Sequence, residues 1–187
     1  MNSLIHIVLV TIGFILACYV LFNFYLVRPA LKLNDQHKAR LLALAKQSLE
    51  SLDVPIGALL IYQNEIIGEG CNTVLCTSDA GGHAEINAVS NAIQRMGMDQ
   101  FSALDRSSLF LITTFEPCVM CTGAFINYNI RNVYFLKEKD TIYLMKEATR
   151  FIRYYFRRGK MKHAGEQDAL FELHPHYPLR KTNATAK

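Results

Sequence analysis

Two short clusters of metal-ligating and acidic residues constrain the fold of this chain most strongly. They are His83-Ala84-Glu85 and, some thirty residues later, Glu116-Pro117-Cys118-Val119-Met120-Cys121. One imidazole and two thiols are ligands that suit zinc, and a site with three protein ligands keeps its fourth position for water, as catalytic zinc sites do. A fold that uses both clusters must bring His83, Cys118 and Cys121 to one point. Glu85 is then the candidate for moving protons to and from the water.

Both clusters lie where the chain enters a predicted helix. The partial positive charge of a helix N-terminus favours the thiolate form of Cys118 and Cys121, which zinc requires. Three residues apart on a helix, these cysteines share one face. His83 and Glu85 are two residues apart and would diverge inside a regular helix. They converge only if His83 is the N-cap, which the preceding Gly81-Gly82 permits.

The first 27 residues contain no charged side chain, and residues 4–27 include sixteen Leu, Ile, Val or Phe. A helix of that length would cover ~36 Å, and a bilayer core is ~30 Å thick. A signal peptide is the rival interpretation, but the start is not basic and small residues are lacking near residue 25. We therefore predict a single transmembrane helix over residues 1–28. The basic residues that follow it place the catalytic domain in the cytoplasm.

The remaining pattern predicts an α/β domain with a mixed sheet. Residues 29–53 are assigned to a juxtamembrane linker and a first helix that Asp35 caps, residues 54–160 to the main domain, and residues 161–187 to an extension whose last residues are disordered. Strands are predicted at 54–62, 65–70, 108–113 and 132–136, and helices at 36–52, 84–95 and 118–128. The last two strands should be parallel, because a helix connects them as a right-handed crossover.

Five cysteines and a net charge of +4 leave several functions open. In a reducing compartment, a C-x-x-C pair binds metal or does redox work. A structural site that adds Cys71 and Cys76 is an alternative, but their spacing is irregular and His83 and Glu85 would have no role. The mild positive charge permits a nucleic-acid partner without requiring one.

The two clusters match the H-x-E and P-C-x-x-C signature of zinc nucleobase deaminases. Residues 54–136 resemble the cytidine-deaminase-like superfamily, bacterial tRNA adenosine deaminases first and guanine deaminases next. The resemblance is carried by Val54-Pro55-Ile56-Gly57-Ala58, Ile67-Gly68-Glu69-Gly70-Cys71-Asn72, residues 79–87, residues 116–124 and Val133-Tyr134-Phe135.

The resemblance implies a three-layer α/β/α fold, commonly a homodimer, with zinc on His83, Cys118 and Cys121. It implies Glu85 as the proton shuttle and Asn72 and Ala84 as substrate-binding residues, Asn72 by a hydrogen bond to the base. Two segments depart from the family pattern. Asp79-Ala80-Gly81-Gly82 replaces Asp-Pro-Thr-Ala, and residues 135–139 read Phe-Leu-Lys-Glu-Lys where the tRNA enzymes resemble Phe-Gly-Ala-x-Asp.

We therefore expect a membrane-anchored, zinc-dependent hydrolytic deaminase. The leading substrate is adenosine in tRNA or other RNA, converted to inosine; a free nucleobase or nucleoside (guanine, cytosine or adenosine) is the alternative. A non-catalytic, membrane-tethered zinc-binding module is the competing class. Residues 150–162 interleave basic and aromatic side chains, a pattern that suits contact with RNA, contact with anionic lipid, or simple helix packing.

Overall fold

A computed structural model describes residues 2–26, 33–159 and 165–173. The helices are α1 (Asn2–Leu26), α2 (Asp35–Ser48), α3 (Val74–Thr77), α4 (Ala84–Met96), α5 (Met98–Ala103), α6 (Val119–Asn127), α7 (Thr141–Arg157) and α8 (Gly165–Glu172). The strands are β1 (Gly57–Tyr62), β2 (Glu65–Cys71), β3 (Leu109–Phe115) and β4 (Asn132–Lys137). The predicted linker at residues 29–32 and the predicted disordered end beyond residue 173 lie outside the described residues.

The four strands form one mixed sheet in the order β2-β1-β3-β4. β1 is antiparallel to β2 and to β3, whereas β3 and β4 are parallel. The predicted α/β class, the mixed sheet and the parallel pair are thereby confirmed. The predicted strands at 54–62 and 65–70 form a hairpin, and its turn residues Gln63 and Asn64 have φ values of 49° and 69°. Two successive positive φ values match the right-handed twist of a hairpin.

Helices cover both faces of the sheet. Successive strand residues point to opposite sides, and β1 has apolar residues on both sides, so both faces must be covered. On one face, Leu59 and Ile61 of β1 pack with Leu41 and Leu44 of α2. On the other face, Leu60 belongs to a second cluster with residues of α4 and α6. The site described below lies on this second side, where α4 and α6 both begin.

Helix α4 lies directly against β2, and two glycines make this possible. A Cβ at Gly70 would lie 2.1 Å from the carbonyl oxygen of Ala84, and one at Gly68 would lie 2.2 Å from that of Ala88. Neither strand position has room for a side chain. The backbone contact fixes the height of α4 above the sheet, and with it the position of His83 at the start of the helix.

In the part of the chain that the structure describes, no helix combines the length and the apolarity needed to cross a membrane. This finding contradicts the predicted transmembrane helix at residues 1–28, and with it the predicted single-pass membrane localisation. The prediction rests on the composition of residues 4–27 alone, with its sixteen Leu, Ile, Val or Phe and no charged residue.

Three local features differ from the sequence-based expectations. Asn34, not Asp35, caps α2, since its Oδ1 accepts the His37 N–H at 2.7 Å. Helices α3 and α5 were not predicted. α3 forms where the buried Asp53 carboxylate accepts the N–H groups of Leu75 and Cys76 at 2.7 and 3.1 Å. This contact joins residues 22 and 23 positions apart, so local patterns do not contain it.

The chain divides into two compact units, Met1–Lys139 and Asp140–Lys187. The sheet and the predicted site belong to the first unit, and α7 and α8 to the second. Asp140 caps α7, its Oδ1 accepting the Ile142 N–H at 2.9 Å. The domain boundaries predicted at residues 54 and 160 stay predictions.

Candidate metal centre and catalytic carboxylate

The predicted ligands His83, Cys118 and Cys121 meet at one point. His83 Nδ1 lies 3.6 Å from the Sγ atom of Cys118 and 3.6 Å from that of Cys121, and the two sulfurs are 3.6 Å apart. Among the described residues, these three side chains form the group that could hold a metal ion, and Cys71 and Cys76 are not part of it. The four-cysteine alternative therefore finds no support.

The triangle has the size that zinc requires. Tetrahedral zinc, with bonds of ~2.3 Å to sulfur and ~2.0–2.1 Å to nitrogen, separates two sulfurs by ~3.8 Å and a sulfur from a nitrogen by ~3.6 Å. The observed separations of 3.6 Å match both values closely. A set of one imidazole and two thiols also leaves one vertex of the tetrahedron for a non-protein ligand. The residues present fit a catalytic zinc ion.

Two helix starts deliver the ligands. His83 is the N-cap of α4, with extended backbone angles (φ −72°, ψ 144°), and Cys118 is the N-cap of α6 (φ −81°, ψ 171°). Cys121 lies three residues into α6 and is wholly buried. The predicted position of His83 is confirmed. From a cap, its imidazole can turn toward the same point as the side chain of Glu85 in the first turn.

The two thiols are hydrogen-bonded to each other, and this contact drives their pKa values apart. Their mutual hydrogen bond lowers the pKa of Cys118 to about 5, against the opposing effect of burial. The same hydrogen bond, together with burial and the nearby Glu85 carboxylate, raises the pKa of Cys121 far above that of an ordinary thiol. The sequence argument expected the helix start to lower both values. At Cys121, the hydrogen bond between the thiols opposes the effect of the helix start and raises the pKa. A metal ion that binds Cys121 would therefore have to displace the proton of this thiol.

Glu85 lies beside the metal ligands and is 3% exposed. Its Oε1 accepts the Thr113 hydroxyl at 3.4 Å, and its Oε2 accepts the Cys121 thiol at 3.6 Å. Burial raises the pKa of the Glu85 carboxyl above its ordinary value, with a further contribution from the charge of Cys118. A raised pKa suits a carboxyl group that both takes up and gives back a proton near neutral pH.

Asn72 follows β2, in a loop that hydrogen bonds hold against α4. Its backbone N–H donates to Ser48 Oγ and to the Ile56 carbonyl, both at 3.0 Å. In the described residues, its own carboxamide makes no hydrogen bond, which leaves that group available to a substrate. Asn87 draws the same loop toward α4: its carboxamide donates to the carbonyls of Cys71 and Gly82 at 2.8 and 3.3 Å.

Ala84 has a different environment from the other predicted site residues. It is wholly buried and forms a small cluster with Ala58 and Ala88 between β1 and α4. Its observed contacts are those of a packing residue. A role in substrate binding stays a prediction for Ala84, as it does for Asn72.

Residues 32–137, more than half of the chain, match the family described as "Cytidine and deoxycytidylate deaminase zinc-binding region". The chain belongs to this family. It is a zinc-binding deaminase domain in which His83, Cys118 and Cys121 are positioned to bind the metal.

Several members of the deaminase family are similar in sequence. The chain is 36% identical over 92 residues to tRNA-specific adenosine deaminase 2 of Xenopus laevis, covering 49% of this chain and 51% of that protein. It is 40% identical over 86 residues to the tRNA-specific adenosine deaminase of Buchnera aphidicola subsp. Schizaphis graminum, covering 46% and 54%. This deaminase domain therefore spans about half the length of the curated relatives it matches.

Among solved structures, guanine deaminase from Bacillus subtilis is similar over a longer stretch. The TM-score is 0.52 at 26% sequence identity, covering 71% of this chain and 82% of that chain. The similar proteins are thus deaminases of nucleobases in two settings, tRNA and the base guanine.

Sequence reasoning did not single out three residues that shape this site. Thr113 is wholly buried and donates to Glu85, Asn87 holds the loop of Asn72, and Lys139 contacts the segment before Cys118. Thr113 is a polar residue in a predominantly apolar strand, which was the available signal. Asn87 lies four residues after His83, on the same side of α4. For Lys139, the signal was its departure from the family pattern.

Proposed function

We propose that this chain is a zinc-dependent hydrolytic deaminase that removes the exocyclic amine of a nucleobase, with adenosine in tRNA or other RNA as its leading substrate. The observation that carries the proposal is the zinc-sized triangle of His83, Cys118 and Cys121 with the buried Glu85 carboxylate at its side. A purely structural zinc site has no need of a buried carboxylate with a raised pKa.

The reaction consumes one water and releases one ammonia. Zinc, when bound, supplies Lewis-acid chemistry that lowers the pKa of water from ~15.7 toward ~7. Glu85 takes a proton as the water oxygen bonds to the ring carbon, and it passes that proton to the adjacent ring nitrogen. It then carries a second proton to the departing amine, which leaves as ammonia while the carbon retains the oxygen. Proton transfer by a positioned group contributes ~10²–10⁴ in rate.

The two oxygens of Glu85 have different partners. One oxygen keeps the carboxylate in position, and the other is the one that can exchange a proton. Oε1 accepts from Thr113, which keeps its hydrogen under all relevant conditions. Oε2 accepts from Cys121, whose proton must leave when the thiol becomes a metal ligand. With Cys121 serving as a metal ligand, Oε2 would have no thiol hydrogen to accept and would be free to take up a proton, while Oε1 keeps its contact with Thr113.

RNA as substrate is supported by the similarity to the two tRNA deaminases and by the surface of α7. Arg150, Arg153, Arg157 and Arg158 line an open surface groove on α7 together with Tyr154. Arginines follow a phosphate backbone, and an exposed aromatic ring stacks on a base. Residues 160–162 of the predicted basic-aromatic segment lie outside the described residues.

If RNA is the substrate, the arginines of α7 should contribute to RNA binding. Charge reversal by R153E with R157E should weaken binding of a tRNA anticodon-arm RNA. The binding constant should also depend less on salt. The slope of its logarithm against the logarithm of the salt concentration should become shallower by ~0.7 for each single-strand phosphate that the protein no longer neutralises. The matched control is K38E with K46E, which changes the same charge on the exposed side of α2. Fluorescence anisotropy over a salt series measures both. Equal weakening in the two variants would contradict a specific role for α7.

A free nucleobase or nucleoside is the second candidate substrate, favoured by the similarity to guanine deaminase over most of that protein's length. Ammonia release decides between the two. The full chain, loaded with zinc, is incubated with tRNA, with the nucleoside adenosine, and with the bases cytosine and guanine and their nucleosides. We expect release from tRNA and none from the H83A variant. Release from guanine alone would make the second candidate correct. A zinc-loaded protein that is inert on every substrate would favour a non-catalytic zinc-binding module.

The homodimer implied by the family resemblance stays a prediction. Helix α6 presents Val119, Met120 and Ile126, which are 43%, 42% and 74% exposed in a single chain. This apolar surface lies next to the metal ligands and suits a second copy. Sedimentation velocity of the zinc-loaded protein should give the mass of two chains, and a monomer at micromolar concentration would contradict it.

A further inference from the structure

Lys139 is a buried cation that contacts the chain immediately before the first cysteine ligand. It is 8% exposed, and its Nζ donates to the Pro117 carbonyl at 2.8 Å. Its backbone N–H donates to Glu116 Oε2, also at 2.8 Å. The Glu116 N–H in turn donates to the Lys137 carbonyl at 2.9 Å. These three hydrogen bonds join residues 116–117 to residues 137–139.

The segment held in this way has little other support. Residues 116–118 belong to neither a strand nor a helix, and Pro117 has no N–H to donate. Cys121 lies within α6 and is positioned by the helix, but Cys118 is only its cap. The direction in which the chain leaves β3 therefore decides where the Cys118 sulfur lies. Burying an ammonium group is costly unless it is hydrogen-bonded, so the Lys139 contact is specific.

We propose that Lys139 is a positioning residue for the metal centre, which holds Cys118 at the distance from His83 and Cys121 that zinc requires. Lys139 binds neither metal nor substrate; it acts through Pro117. The inference rests on the proposed zinc site. It goes beyond the family match, which ends at residue 137. It also gives a role to a residue at which this chain departs from the tRNA-enzyme pattern, where an acidic residue is typical.

The test compares two lysines that are two residues apart. K139M removes the ammonium group but keeps an unbranched side chain, whereas K137M makes the same change of charge at an exposed position. Zinc affinity of the full chain is measured by competition with a chromophoric chelator. Residues that orient metal ligands typically contribute ~10–100-fold to metal affinity. K139M should therefore raise the zinc dissociation constant ~10-fold or more, and K137M should leave it unchanged.

Cobalt spectroscopy reports whether the effect reaches the ligands. In the wild type, Co²⁺ should give the thiolate charge-transfer band of two sulfur ligands. K139M should weaken this band at saturating Co²⁺, and K137M should not. A stability loss alone would leave the band of the folded fraction unaltered.

A second variant keeps the proposal falsifiable if K139M does not fold. E116A removes the carboxylate that accepts the Lys139 backbone N–H, which is a second hydrogen bond between residues 116–117 and residue 139, so it should also weaken zinc binding. Equal zinc affinities of K139M, E116A and the wild type would overturn the proposal, as would equal losses in K139M and K137M, which would indicate charge alone. A wild type that binds zinc without turnover would overturn the proposed function and leave this inference intact. A wild type that binds no zinc would overturn both.

Discussion

The two halves of the metal centre are built in different ways. The half on α4, with His83 and Glu85, belongs to the core: Ala84, Ala88 and Ala92 are wholly buried, and the α4 backbone lies directly against Gly68 and Gly70 of β2. The half on α6 is mixed: Cys121 is wholly buried, but Val119 and Met120, next to Cys118, are 43% and 42% exposed. Packing fixes His83, Glu85 and Cys121, whereas hydrogen bonds to residues 116–117 fix the position of Cys118. Substitutions near α4 should therefore alter catalysis and overall stability, and substitutions near Cys118 should alter metal affinity.

The largest expected effect lies on the α4 half and separates chemistry from metal binding. E85A should lower kcat by ~10²–10⁴, because the proton carrier is lost. Zinc content should stay at that of the wild type, since Glu85 is not a ligand. E138A, at an exposed position beyond β4, is the control and should retain activity. Ammonia release and metal analysis on the same samples check both statements. Loss of zinc from E85A would contradict the assignment of Glu85.

The next prediction concerns the backbone contact that fixes the position of α4 on the sheet. In G70A, the new Cβ would lie 2.1 Å from the Ala84 carbonyl oxygen and 2.5 Å from the Ala88 nitrogen, so α4 must move. We expect a loss of about 3 kcal/mol in the free energy of unfolding, measured by urea denaturation. The control is G123A on α6, where a Cβ meets nothing within 4 Å. That substitution should be neutral or stabilising by about 0.5–1 kcal/mol. Equal stabilities of G70A and the wild type would show that α4 is not fixed by this contact.

A smaller effect concerns the orientation of the Glu85 carboxylate. T113V is nearly isosteric and removes the hydroxyl that Oε1 accepts. Losing one such hydrogen bond costs about 1 kcal/mol, so kcat should fall roughly fivefold with little change in KM. T113S should restore activity. T114V is the matched control, because the Thr114 hydroxyl accepts the Gly57 N–H at 3.2 Å and does not contact Glu85. Equal kcat values for T113V and T114V would contradict the proposed role of Thr113.

The smallest effect concerns the loop that carries Asn72. Burial opposes ionisation of Asp53, but hydrogen bonds from the Leu75 N–H, the Ser51 hydroxyl and the Cys76 N–H outweigh it, so the pKa of Asp53 is lowered. A carboxyl whose pKa is lower in the folded state stabilises the fold above its unfolded pKa of ~3.9, and this contribution is lost as pH falls through the folded value.

D53N should therefore be less stable than the wild type at neutral pH, by an amount that is constant down to about pH 4. Below that pH the difference should shrink, because the wild type then loses its carboxylate as well. Urea denaturation at a series of pH values measures the difference. A difference that does not change between neutral and acidic pH would show that the charge of Asp53 contributes nothing.

The ligand set and the local elements could be predicted from the sequence because each depends on residues close together in the chain. Cys118 and Cys121 follow from helical spacing, His83 as a cap follows from Gly81-Gly82, and the hairpin follows from a two-residue turn. Contacts between distant residues were not predictable in this way. The Asp53 contact that supports α3, the Thr113 contact with Glu85 and the Lys139 contact with Pro117 join residues 22 to 28 positions apart.

X-ray absorption at the zinc edge tests the central claim most directly, because it reports the atoms bound to the metal. For the full chain loaded with one equivalent of zinc, we expect two sulfur neighbours at ~2.3 Å and the remaining neighbours, nitrogen or oxygen, at ~2.0–2.1 Å. Four sulfur neighbours, none at all, or a protein that retains no zinc after dialysis would contradict the account.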